Sequence, residues 1–139
     1  YDNKTFLIET DYGNIICEEK FGIEFKQTLE FIKKNSSEKN FIIALSDCNY
    51  LHFFSGKTDI KHFFIQPTKF VFGLNEEKKM IELIQKENPK IIIIDKIDTF
   101  GYIPGIDYAL TLVKELNAEN NCFKRNFSKI DFEKFTIYY

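Results

Sequence analysis

Two apolar segments of this chain run straight into a carboxylate. "FIIALSD" ends at Asp47, and "KIIIID" carries four isoleucines into Asp95, with Asp98 three residues further on. Asn49 and Tyr102 stand close by in sequence. Carboxylates at the ends of neighbouring strands are hard oxygen ligands, the donor type that holds Mg²⁺ for phosphoryl transfer or hydrolysis. Asp is also common there for a simpler reason. Solvent begins where a buried strand ends, and the side chain accepts hydrogen bonds from the N–H groups of the next helix. No Lys, Ser or His recurs at a spacing that would complete a catalytic set. The residue types therefore point to a ligand-binding rim of Asp47, Asn49, Asp95, Asp98 and Tyr102, with no catalytic residue. A metal-dependent hydrolase or phosphotransferase using Asp47, Asp95 and Asp98 is the competing reading.

Other chemistries have less support. Cys17, Cys48 and Cys122 are far apart and form no CxxC pair, so zinc is not expected, and buried free thiols are the default. His52 and His62 lie in apolar words, "YLHFFSG" and "IKHFF", with no partner at a suggestive spacing. Ser46, Ser55 and Ser128 lie in no GxSxG elbow. There is no GxGxxG and no GxxxxGK[ST], so the glycine-rich phosphate cradles are missing and no cofactor is expected.

The elements that must hold the rim can be read from periodicity. "KTFLIETDYGNIICEEK" reads as two short strands around a turn at residues 11–14, where Gly13 supplies positive φ. "GIEFKQTLEFIKKNSS" places Phe25, Leu29 and Ile32 on one helical face. "NFIIAL" follows as a strand, and "SDCNYLHFFSGK" as a turn and short helix, with Leu51 and Phe54 on one face and Gly56 as its stop. "IKHFFIQPTKFVFGL" is expected to be extended and kept from a central ladder by Pro67.

"NEEKKMIELIQKENP" predicts a helix capped by Asn75, with Glu76 and Glu77 at its positive end and Met80, Ile81 and Ile84 inward. Pro89 pushes Asn88 out of the helical region. The unbroken "IIII" implies a strand covered on both faces. "PGIDYALTLVKELNAEN" is the next helix, started by Pro104, with Ile106, Ala109, Leu110, Val113 and Leu116 at its apolar spacing. "CFKRNFSKIDFEKFTIYY" predicts a closing hairpin turning at residues 128–133. Strands separated by helices imply one α/β domain over residues 1–139. It should have three layers: a mixed sheet with a parallel centre, helices on both faces, and antiparallel hairpins at the margins.

Composition agrees with a globular domain: 44% hydrophobic, 29% charged, with sixteen Phe and no Trp. A net charge of −2 without a basic aromatic cluster gives no footing for a nucleic-acid partner. No apolar run reaches the roughly 18 residues that span a bilayer.

The words "GIEFKQTLEFIKKNSSEKNFIIALSDCNYLHFFSGKTDIKHFF", then "EEKKMIELIQKENPKIIIID" and the aromatic closing hairpin, give the chain a further feature. Over residues 21–139 it resembles the C-terminal domain of polytopic GT-C membrane glycosyltransferases. These are of the dolichyl-phosphate-mannose protein mannosyltransferase and aminoarabinose transferase type. The resemblance implies a non-catalytic extracytoplasmic domain of a larger membrane protein, excised from it, whose parent uses a polyprenyl-phosphate-linked sugar donor. The implied partners are the transmembrane part of the same chain and a glycan, lipid or protein acceptor. In that group the catalytic carboxylate lies between early transmembrane helices, so no catalytic residue carries over here. A plain protein-interaction module is the alternative from a different class.

The rim and metal readings part in a calorimetric titration. The rim reading expects no saturable heat from Mg²⁺ or Mn²⁺. A saturable heat that disappears in Asp95→Asn would restore metal chemistry.

Overall fold

The computed structural model describes residues 4–37, 42–45, 49–56, 74–96 and 110–139. The first six elements are β1 (Thr5–Thr10), β2 (Gly13–Glu18), α1 (Glu19–Asn35), β3 (Ile42–Leu45), α2 (Asn49–Ser55) and α3 (Leu74–Glu87). They are followed by β4 (Ile91–Asp95), α4 (Leu110–Asn117), β5 (Lys129–Asp131) and β6 (Phe135–Tyr138). The segment expected to be extended around Pro67, and the helix start at Pro104, lie outside the described residues. Together the elements make a small mixed α/β domain.

β1 and β2 form an antiparallel hairpin of their own, joined by Asp11 and Tyr12. Gly13 has φ +128, and Thr10 Oγ1 donates to its carbonyl at 2.6 Å. An isolated two-stranded ribbon is marginal in water, and this one rests on α1. Its inward pairs, Phe6 opposite Cys17 and Ile8 opposite Ile15, lie over the helix face made by Phe25, Leu29 and Ile32. Gly22 permits the close approach. A Cβ there would stand 2.5 Å from Phe6 Cδ1 and 2.9 Å from Cys17 Sγ.

The second sheet has the order β3-β4-β6-β5. β3 and β4 are parallel, whereas β4 pairs antiparallel with β6, and β6 with β5. The sheet is mixed, as expected, but the expected parallel centre is not found among the described strands. The parallel pair stands to one side of the described strands, and the central pair is antiparallel because the C-terminal strand inserts beside β4. The closing hairpin forms one side of the described sheet, with β5 at the edge and β6 buried at all four positions.

The four isoleucines of β4 have 0–1% exposure, as an unbroken apolar run requires. Ile91 and Ile93 pack with Phe135, Ile137, α1 and Leu51 of α2 on one face. Ile92 and Ile94 pack with Met80 and Ile84 of α3 and Leu112 and Leu116 of α4 on the other. In α4 the inward spacing is thus carried by Leu112 and Leu116, and Val113 lies at the margin.

The helix ends follow local chemistry. Gly56, at φ +72, ends α2, and Asn88, at φ 45, ends α3 ahead of Pro89, each donating its N–H back into the helix. α3 begins at Leu74, so Asn75 falls inside the first turn rather than before it. The last turn is Glu133 and Lys134, closed by the Phe132 N–H donating to the Phe135 carbonyl at 2.8 Å, rather than residues 128–133. The reason is that the pairing runs on to Ser128, which exchanges backbone hydrogen bonds with Tyr139, and residues 122–124 turn instead of extending.

Gly22→Ala should destabilise the domain by about 1–3 kcal/mol through overpacking between the hairpin and α1. Urea denaturation measures this. An unchanged midpoint would mean that the hairpin can lift from the helix without loss.

Candidate functional site

The predicted rim is positioned only in part. Asn49 is the first residue of α2 and Asp95 the last of β4, while Asp47, Asp98 and Tyr102 lie outside the described residues. Since Leu45 is level with Ile94, Asp95 stands one step beyond the end of β3. On its other side it is still inside the sheet, with its backbone opposite Phe135. Among the described residues no group of three His, Cys, Asp or Glu could hold a metal ion.

Polar side chains beside this end of the sheet are occupied in holding it together. Lys96 Nζ donates to Asp131 Oδ1 at 2.7 Å and to the Phe132 carbonyl at 2.6 Å, and Thr136 Oγ1 donates to the same Asp131 oxygen at 3.0 Å. The Lys96 hydrogen bond holds the Asp131 carboxyl below its ordinary value of 3.8. From α1, Glu24 accepts the backbone N–H groups of Glu133 and Lys134 at 3.0 and 2.7 Å, gripping the β5–β6 turn with both oxygens. These contacts make a rigid corner.

The N-terminal end of β4 is organised by Arg125. Its guanidinium donates to the Pro89 carbonyl at 2.7 Å and the Lys90 carbonyl at 3.0 Å, and lies 4.5 Å from the centre of the Phe127 ring. Asn121 folds the intervening turn, donating to the Arg125 carbonyl at 2.6 Å and accepting the Phe123 N–H at 3.0 Å. These bonds are why residues 121–127 do not form the early strand expected from their composition.

Between the end of α4 and the edge strand β5, this folded segment leaves an open pocket of about 180 Å³. Asn117, Glu119, Asn126, Phe127, Lys129 and Tyr138 stand around it. Asn117 Nδ2 donates to the Tyr138 hydroxyl oxygen at 3.1 Å and to the Val113 carbonyl at 2.7 Å. Burial pushes the Tyr138 phenol up, so it keeps its proton. The pocket is at the opposite end of β4 from Asp95, because β6 runs antiparallel and brings Tyr138 level with Ile92. Sequence reasoning directed at strand ends missed it. The available signal was the amide density of "LNAENN" with Asn126 nearby.

The cysteines offer no activated nucleophile among the described residues. Cys17 is half-buried and Cys122 is exposed, which corrects the expectation of a buried thiol at Cys122. Burial pushes both thiols up, away from the thiolate form that reacts. Glu77 is the other side chain whose role was not foreseen. Instead of facing solvent at the start of α3, it is buried and accepts the Leu112 N–H of α4 at 2.9 Å. It satisfies one of the orphan donors of that helix.

Comparison of the chain with known protein families, with curated proteins and with solved structures returned no match.

The depressed Asp131 pKa has a definite sign. The stabilisation from its pairing is present above 3.8 and lost as pH falls through the lower folded value. A carboxyl-carbon NMR titration should place the Asp131 midpoint below 3.8, and Lys96→Met should move it upward. A midpoint unmoved by that substitution would deny Lys96 its role.

Proposed function

We propose that this chain is a non-catalytic contact domain, the extracytoplasmic domain of a membrane glycosyltransferase that uses a polyprenyl-phosphate-linked sugar donor. In this reading the outer face of the β1–β2 hairpin is its contact with the membrane-embedded part of the parent chain. The observation that carries the reading is the exposed cross-strand pair Leu7 and Ile16. They stand directly opposite one another with 52% and 72% exposure. Large aliphatic side chains paired at the centre of a strand face form an apolar spot that is stabilised by being covered. Tyr12 and Phe53, also exposed, add an aromatic pair with ring centres 5.9 Å apart at the hairpin tip.

The segment words quoted from residues 21–139 support the family, and the division of the helices between the two sheet faces supports a three-layer scaffold. Acceptor binding at the rim of Asp47, Asn49, Asp95, Asp98 and Tyr102 belongs to the same proposal. A soluble protein partner on the hairpin face is the alternative. No helix among the described residues is long and apolar enough to cross a membrane, so the membrane-embedded part in this reading is supplied elsewhere in the parent chain.

Two measurements test this. The coding sequence upstream of Tyr1 should encode several apolar spans of about 20 residues each; a reading frame that opens near Tyr1 would sink the proposal. In membranes carrying the parent chain, Leu7→Lys with Ile16→Glu, an opposite-charge cross-strand pair, should lower sugar transfer from the polyprenyl donor. A loss of about tenfold is expected, equivalent to about 1.4 kcal/mol of contact energy, with the urea midpoint of the isolated domain preserved. Undiminished transfer would remove the hairpin face from the reading.

A further inference from the structure

The pocket at the end of α4 has a chemistry that the contact role does not use. Its volume of about 180 Å³ is room for about six waters at roughly 30 Å³ each. That is less than the roughly 300 Å³ at which pockets for drug-sized ligands begin. One six-membered ring with its substituents fits such a space, and a nucleotide does not.

The polar groups around the pocket differ in kind. Asn126 offers an amide donor and an amide acceptor, Asn117 offers only its Oδ1 because both of its N–H groups are engaged by the Val113 carbonyl and the Tyr138 hydroxyl, and Glu119 offers carboxylate oxygens. The Tyr138 hydroxyl oxygen already accepts from Asn117, which leaves its hydrogen free to donate. Phe127, held in place by Arg125, and Leu116 supply an apolar wall. Hydroxyl groups on a carbon ring ask for this combination, since each both donates and accepts while the C–H faces need apolar cover.

Charge narrows the class further. The C-terminal end of a helix carries partial negative charge from its last carbonyls, and α4 ends here beside Glu119. Lys129, on the other side of the pocket, offsets this only in part, because its ammonium also lies 3.6 Å from Asp131. Phosphate and carboxylate ligands are therefore disfavoured, whereas neutral hydroxyl donors are favoured.

We propose that the pocket between the end of α4 and β5 binds a single neutral monosaccharide unit through Asn117, Glu119, Asn126 and Tyr138, with Phe127 as its apolar wall. The site is independent of whatever covers the hairpin, so it stands or falls separately from the membrane reading.

The test is an NMR titration of the ¹⁵N-labelled chain of residues 1–139 with the methyl glycosides of glucose, galactose and mannose, and with inorganic phosphate in a parallel sample. At least one glycoside should give saturable amide shifts confined to residues 116–119, 126–129 and 138, with a dissociation constant on the order of 1 mM. Asn126→Ala and Glu119→Gln alter exposed side chains, so the urea midpoint should hold. Each should weaken the glycoside by about tenfold, the loss of one hydrogen bond. Phosphate should leave these amides unmoved. Absence of saturable shifts with every glycoside, shifts that map elsewhere, a stronger response to phosphate, or full binding in both variants would each overturn the proposal.

Discussion

Strand β4 belongs to both hydrophobic cores at once, and the rest of the domain is arranged around that fact. Its isoleucines alternate between the face covered by α1 and α2 and the face covered by α3 and α4. Burying one such side chain stabilises by about 1.5–3 kcal/mol. Four of them supply an upper-bound contribution on the order of 10 kcal/mol, comparable with the whole net stability of a typical domain. β3 and β6 flank this strand and satisfy its backbone, so neither layer of helices has a core without it.

Around that centre, a small set of side chains does the positioning by bonding to the backbone of distant segments. Glu24 grips the β5–β6 turn, Glu77 takes an N–H at the start of α4, and Arg125 reaches the carbonyls after α3. Bonds of this kind are charge-assisted and fix geometry as well as energy. Together they make both ends of the sheet stiff. One end carries Asp95 beside the Lys96–Asp131 corner, and the other carries the pocket. A ligand at either end would meet groups already held in place, whereas the outer face of the hairpin offers area with less shape.

Much of this was legible in the residues. The period of Phe25, Leu29 and Ile32 marks the buried stripe of α1, Gly13 and Gly56 sit where positive φ is needed, and the isoleucine run has both faces covered. These features are local: dihedral preference and hydrophobic period act within one element. The predicted rim was legible only as residue types, because nothing in the spacing of Asp47, Asn49, Asp95, Asp98 and Tyr102 says which side chains converge. Nothing in the sequence singles out Arg125 or Asn121, and Glu77 reads only as an acidic residue suited to the positive end of its helix. Their partners lie 35 or 36 residues away for Arg125 and Glu77, and for Asn121 in a turn that composition alone does not distinguish from a strand.

The amino-acid sequence alone carries the helical or extended character of most described segments, which of their faces are apolar, and that the isoleucine strand must be covered on both sides. Each of these follows from backbone preference and the 3.6 or 2 residue period of side chains. Packing of the whole chain decided that the last strand enters antiparallel beside β4 and that the hairpin stands apart on α1 with Leu7 and Ile16 outward. It also decided that the pocket opens at the end of β4 away from Asp95. Strand order and convergence depend on which surfaces bury each other most completely, a property of the whole packed chain that no local pattern contains.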